Sequence, residues 1–274
     1  MTLLSVVQMN SQDDIAANFI LIESLIQQSK AGGAELIVFP ENFVCFAGGK
    51  QRETAEQFEV IQQRLEHLAH QYQIWIIAGT LPCPFRPDGS IIRDGRVRTV
   101  SLCISPERTE ARYDKIHLFD VQVGDAVGGY QESTFFEPGT DVIVAPTPFG
   151  NIGLMVCYDL RFPELALTLR AQGANILTAP AAFTYTTGQM HWQLLLQTRA
   201  MDSQCCVLGA AQQGWHGVKR QTWGHTAATN SLGQILDMLH TEGTGLITVP
   251  FDLAQQEVTR TSMPLIKHRK LINF

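Results

Sequence analysis

The most constraining feature of this chain is a repeated order of elements near its start, an amphipathic helix followed at once by a short apolar strand. Residues 12–30 place Ile15, Phe19, Ile22 and Ile26 on one helical face, Gly32 and Gly33 supply a stop, and 35–39 (ELIVF) reads as a buried strand. The order recurs at 53–78, where Phe58, Ile61, Leu65 and Leu68 keep helical spacing and Ile74–Ala78 follows as a strand. One apolar stripe on a helix and a strand that is apolar throughout bury their surfaces only by stacking in layers, so an α/β fold is expected.

The rest of the chain continues the pattern. VRTVSLCI, DVIVAP and NIGLMVC read as strands, the last two joined by the turn-rich 147–151. A helix over 163–172, with Pro163 suited to its first turn and Gly173 to its stop, precedes the strand 175–179. A second helix at 190–203 leads into CCVLGAA, and a hairpin at 230–233, a strand at GLITVPF and a helix at 252–260 complete the chain. No repeat, low-complexity tract or linker interrupts it. The expectation is a single domain over 1–274, a four-layer αββα sandwich with two mixed β-sheets flanked by helices.

Composition narrows the function. With 274 residues and 45% apolar, the chain is long enough for a large core. Twenty-six acidic residues outweigh 20 basic ones, and no basic stripe is visible, which disfavours a nucleic-acid partner. No stretch approaches the roughly 20 apolar residues of a membrane span, and MTLLSVVQMNSQDD lacks the parts of a secretion signal, so a cytoplasmic protein is expected. The six cysteines, at 45, 83, 103, 157, 205 and 206, are too sparse for a disulfide scaffold. There is no CxxC, HExxH, GxGxxG or complete phosphate loop, and the eight histidines are scattered, so neither metal nor cofactor is expected. A small molecule is the expected partner.

In α/β sheets ligands gather beyond the carboxyl ends of strands. Three residues stand there: Glu41 after Phe39-Pro40, Lys115 after the LCI strand region, and Cys157 at the end of NIGLMVC, ahead of a helix opening at Pro163. Taken singly, a thiol in an apolar run is a small core residue and a charge after a strand is a solvated end. Their conjunction is what carries weight.

FPENF (39–43), RYDKIHLFD (112–120) and CYDLRFPEL (157–165), in this order and at these distances, resemble the nitrilase, or carbon-nitrogen hydrolase, superfamily across essentially the whole chain. The resemblance implies a Glu-Lys-Cys triad, here Glu41, Lys115 and Cys157, with Glu132 in YQES matching an auxiliary glutamate, and a sandwich usually paired into αββααββα dimers. It thus implies a homodimer or higher homo-oligomer. It further implies that Glu41 takes the thiol proton and returns it to the leaving nitrogen, that Lys115 and the backbone N–H of Tyr158 receive the oxyanion, and that a thioester forms. Glu132 would hold Lys115 or orient substrate. Asp159, Arg161 and Glu164 read as residues that cap and brace the turn. A protease-like Cys-His pairing through His117 or His191 ranks behind, because no third partner is identifiable.

Within the superfamily, APAAFTYTTGQMHW, AAQQGWH and WGHT resemble the Nit branch. That implies hydrolysis of a small ω-amide to a carboxylate and ammonia, with deaminated glutathione ahead of α-ketoglutaramate or α-ketosuccinamate and an N-carbamoyl compound further behind. SLG at 231–233 and the insertion-like VGDAVGGY at 123–130 depart from the usual pattern. An anionic substrate calls for local positive charge in a net acidic protein, and the candidates are Arg199 in the helix after HWQLLL and Lys219-Arg220 in the turn-rich loop that also carries Trp215, His216 and Trp223.

Overall fold

The computed structural model describes residues 1–46, 48–124, 128–218 and 220–270. Lys219 and the centre of the 123–130 segment lie outside the described residues.

The two expected helix–strand units are present. Helix Ile15–Ala31 begins where the Asp14 carboxylate accepts the Ala17 N–H and ends before Gly33, which takes the left-handed φ of 82° that a side chain disfavours. It leads into strand Leu36–Val38. The second unit differs in detail: the helical run is split into Gln51–Ala55 and Phe58–Tyr72, and the following strand, Trp75–Cys83, is longer than expected.

The first sheet has eight strands, ordered Arg220–Trp223, Ala211–His216, Thr2–Met9, Leu36–Val38, Trp75–Cys83, Arg98–Ile104 and Thr109–Asp114, with Gly245–Phe251 antiparallel to Thr2–Met9. The second has six: Ile235–Met238, Ala227–Thr229, Cys206–Gly209, Ile176–Thr178, Ile152–Leu154 and Val144–Ala145. Both are mixed, because the parallel strands at their centres carry antiparallel partners at their edges.

Side-chain alternation turns these sheets into layers. Val7, Met9, Ile37, Phe39, Ile76 and Ala78 point to one side, where they pack with Phe19, Ile22, Ile26, Phe58, Ile61 and Leu65 of the first helix pair. Leu4, Val6, Leu36, Val38 and Ile77 point to the other and meet Ile152, Leu154 and Ile176 of the second sheet. Leu165 and Leu169 of helix Pro163–Ala171, with Trp192 and Leu196 of helix Tyr185–Ser203, cover that sheet from outside. The expected αββα sandwich is the observed one.

Two features correct the sequence reading. Thr2–Met9 is a central strand of the first sheet, although the first strand was expected at 35–39; its alternating Leu4, Val6 and Val7, Met9 carried the signal. The expected loop at 214–224 is a β-hairpin, in which Trp215 pairs with Gln221 and His216 with Arg220. Its tip is a tight turn at Gly217, and the glycine and polar residues along it hide the strand period.

Candidate active site

Glu41, Lys115 and Cys157 come from three separate strand ends and meet at one cavity of about 520 Å³. Glu41 follows Leu36–Val38, and its position is fixed through the backbone: Gln212 Nε2 donates to the Glu41 carbonyl at 2.9 Å, and the Asn42 N–H donates to Thr80 Oγ1 at 2.9 Å. Lys115 follows edge strand Thr109–Asp114 of the first sheet, with its N–H on the Thr99 carbonyl at 2.9 Å. Cys157 follows Ile152–Leu154 of the second sheet and opens a short 3₁₀ turn, Cys157–Arg161.

The thiol sits on a bent backbone. Cys157 has φ 49°, a left-handed conformation that costs a non-glycine residue about 1 kcal/mol or more and persists only where the surroundings enforce it. Here the Cys157 N–H donates to the Pro180 carbonyl at 2.9 Å, and the Val156 N–H donates to Asp159 Oδ2 at 2.8 Å. The turn aims the sulfur into the cavity. Tyr158 contributes the next N–H, in the first turn of the 3₁₀ segment, where no acceptor exists within the helix, and among the described residues it donates to no backbone carbonyl outside that turn.

Lys115 is fully enclosed and held by carboxylates. Its Nζ lies 2.9 Å from Glu41 Oε1 and 2.9 Å from each oxygen of Glu132, while Glu132 Oε2 also accepts the Phe119 N–H at 2.6 Å. Burial alone pulls the lysine down, but Glu132 and Glu41 outweigh it and hold the group well above the usual lysine range, so it is a fixed ammonium. Burial raises the Glu132 carboxyl, against the pull of Lys115. Burial also pushes the Cys157 thiol well up, and the Glu41 charge adds to the rise; Lys115 and the Ala182 N–H work in the opposite direction. The thiol at rest is therefore protonated, with the Glu41 side chain beside it.

Of the expected anion-binding residues, Arg220 lines the cavity. Its guanidinium lies between the rings of Phe46 and Tyr130, at 4.8 and 5.2 Å from their centroids, donates to the Ala182 carbonyl at 3.3 Å, and keeps a buried Nε without a hydrogen-bond partner. Arg199 is placed elsewhere: it is buried beneath the turn, its Nε on the Leu160 carbonyl at 2.9 Å and Nη1 on Asp202 at 2.7 Å, and it braces the second sheet's helix in place of the expected substrate contact. Lys50, not singled out by sequence, also reaches the cavity wall and pairs with Asp13 at 3.4 Å.

The histidines take structural positions. His117 donates to Asp159 at 2.7 Å and stacks on Phe162 at 3.7 Å; His191 faces the Arg161 guanidinium at 3.3 Å. Neither lines the cavity, so no Cys-His pair forms. His216 does line it, but its Nδ1 donates to the Ser11 carbonyl at 2.8 Å and its Nε2 meets the Thr222 hydroxyl at 2.7 Å; burial lowers it to about 4, which keeps it neutral. Among the described residues no group of three His, Cys, Asp or Glu side chains could hold a metal ion, and no helix is long and apolar enough to cross a membrane.

The chain matches known proteins along nearly its whole length. Residues 3–261 match the carbon-nitrogen hydrolase family. A deaminated glutathione amidase of Yersinia enterocolitica is 39% identical over 98% of this chain and 93% of its own, and one from Synechocystis sp. is 36% identical over 98% of each. Among solved structures, Saccharomyces cerevisiae Nit3, a member of branch 10 of the nitrilase superfamily, superposes with a TM-score of 0.85 at 26% identity over 98% of this chain and 97% of that one.

Proposed function

The chain belongs to the carbon-nitrogen hydrolase family and is a hydrolase of C–N bonds; from that premise we propose that it hydrolyses deaminated glutathione through a cysteinyl thioester. As Cys157 Sγ attacks the amide carbonyl, Glu41 takes its proton. The oxyanion forms against the Lys115 ammonium and the Tyr158 N–H, both already in place and needing no reorganisation. Collapse breaks the C–N bond, and Glu41 returns the proton to the leaving nitrogen. Water, deprotonated by Glu41, then attacks the thioester; the C–S bond breaks, the carboxylic acid is released, and Glu41 returns the proton to the departing Cys157 sulfur, which restores the resting thiol. Because Lys115 stays charged, it serves as an electrostatic partner and Glu41 as the proton carrier. Glu132 holds the ammonium.

For a primary ω-amide such as α-ketoglutaramate the departing nitrogen is ammonia. In deaminated glutathione the amide nitrogen belongs to the cysteinyl residue, so cysteinylglycine departs and 2-oxoglutarate remains. The observation that carries the substrate choice is the cavity itself: about 520 Å³, with Arg220 and Lys50 on its wall, has room and charge for a peptide-like anion beyond what a small keto-amide needs. We also place the enzyme in the cytoplasm, where its six free thiols stay reduced, and propose that it pairs with a second copy, in keeping with exposed Met190, Leu194 and Met201 on one helix.

The test incubates the protein with deaminated glutathione and, separately, with α-ketoglutaramate, reading 2-oxoglutarate together with cysteinylglycine or ammonia. Preferred turnover of the former, absent in Cys157→Ala, is expected. Full activity of Cys157→Ala would end the thiol mechanism, and preference for α-ketoglutaramate would reassign the substrate.

A further inference from the structure

We propose that Asp159 is a positioning residue that holds the segment carrying Cys157 and the segment carrying Lys115 at a fixed separation, a role that rests on the triad reading above. Its side chain is fully buried, and its two oxygens take four donors. Oδ2 accepts the Val156 N–H at 2.8 Å and the Tyr113 hydroxyl at 2.7 Å; Oδ1 accepts the His117 backbone N–H at 3.1 Å and its Nδ1–H at 2.7 Å. Val156 immediately precedes the nucleophile. Tyr113 and His117 stand on either side of Lys115, and the Tyr113 hydroxyl also accepts the Ile116 N–H at 3.2 Å. One carboxylate therefore grips both segments.

The fold needs such a tie. Cys157 leaves a strand of the second sheet and Lys115 leaves an edge strand of the first, so no single ladder of backbone hydrogen bonds sets the distance between them. The sheets meet through apolar side chains, and that attraction is non-directional. Charge-assisted bonds to a buried carboxylate are short and directional, and the four donors fill the acceptor sites of its two oxygens. Capping the turn would use the Val156 N–H alone. The other three donors come from the lysine's own segment. Asp159, Tyr113 and His117 do not line the cavity, so the carboxylate acts through the groups that do.

The experiment measures carboxamidomethylation of Cys157 by iodoacetamide, followed by peptide mass spectrometry, in the parent, Asp159→Asn, Tyr113→Phe and the double variant. Iodoacetamide needs no assigned substrate, so a wrong substrate leaves this test intact, while the hydrolysis assay judges the substrate separately. A shift of a few tenths of an ångström between thiol and ammonium slows Cys157 alkylation about tenfold in each single variant, with no acceleration at Cys103, Cys205 or Cys206. The double variant is expected to match Asp159→Asn, since both changes break one network. General loosening would instead speed alkylation at every buried thiol. Alkylation of Cys157 at or above the parent rate in Tyr113→Phe overturns the proposal, and that variant decides alone if Asp159→Asn does not fold.

Discussion

The Nζ of Lys115 lies 2.9 Å from Glu41 Oε1 in a pocket that water scarcely reaches. The ammonium is thus the shared counter-charge of two carboxylates, Glu41 and Glu132, and the electrostatic balance of the site depends on it. Burial and the nearby Glu41 together hold the Cys157 thiol well up, so the sulfur at rest keeps its proton.

Lys115→Ala removes that counter-charge and, in the proposed mechanism, the oxyanion partner. We expect kcat to fall about 10²–10³-fold with KM little changed, as for loss of one preorganised donor. A raised KM at unchanged kcat would make the lysine a substrate anchor. Glu132→Gln keeps the shape but turns an amide toward the ammonium, and kcat is expected to fall about tenfold or more.

Gly79 reports on Glu41 from behind. A Cβ there would stand 1.9 Å from the Pro40 carbonyl oxygen, so Gly79→Ala must push the backbone that carries Glu41. The expected result is a lower melting temperature together with a kcat loss of about tenfold or more. Parent-like values of both would show that the strand accommodates the methyl without moving Glu41.

Arg220 and Arg199 separate by role. Arg220→Gln is expected to raise KM for deaminated glutathione about tenfold, the size of one lost charge-assisted contact, more than for α-ketoglutaramate and with kcat nearly intact. Arg199→Gln strands the Leu160 carbonyl and Asp202 instead, so it should lower the melting temperature and leave KM alone. Steady-state kinetics and thermal melting on both variants check the contrast.

His216 makes stability depend on pH. Burial depresses it from its ordinary 6.5 to about 4, so between those values the unfolded chain binds a proton that the folded one refuses. The stabilising contribution is full above about pH 6.5 and is lost as pH falls toward 4, on the order of 3 kcal/mol at about 1.4 kcal/mol per unit. Melting curves from pH 7 to 4 should fall more steeply for the parent than for His216→Gln. Parallel curves would remove His216 as the cause.

The layered fold and the chemistry-bearing trio were legible because both leave local marks. Helical and strand periods expose Phe19–Ile26 and Leu36–Val38 as faces to be buried, and Glu41 and Cys157 each stand at the end of an apolar run, whereas Lys115 follows the polar strand Thr109–Asp114, which has no apolar period of its own. The hairpin 211–223 was not legible, since its Gly214, Gly217 and polar residues break the period. Thr2–Met9 carries a readable alternation, but it stands ahead of the first helix with no partner run close by in sequence to mark it as a strand.

By itself the sequence determined which groups can react and which faces must be buried, because residue chemistry and periodicity belong to neighbouring positions. Only the tertiary structure decided which cations face the cavity: Arg199 and Arg220 look alike as basic residues near apolar runs, yet one braces Leu160 and the other lies between Phe46 and Tyr130. It also decided the partners of Asp159, a residue whose own turn explains one of its four donors. Distances between strand ends on two different sheets are set by side-chain packing and long-range hydrogen bonds, and these have no periodic imprint on the chain.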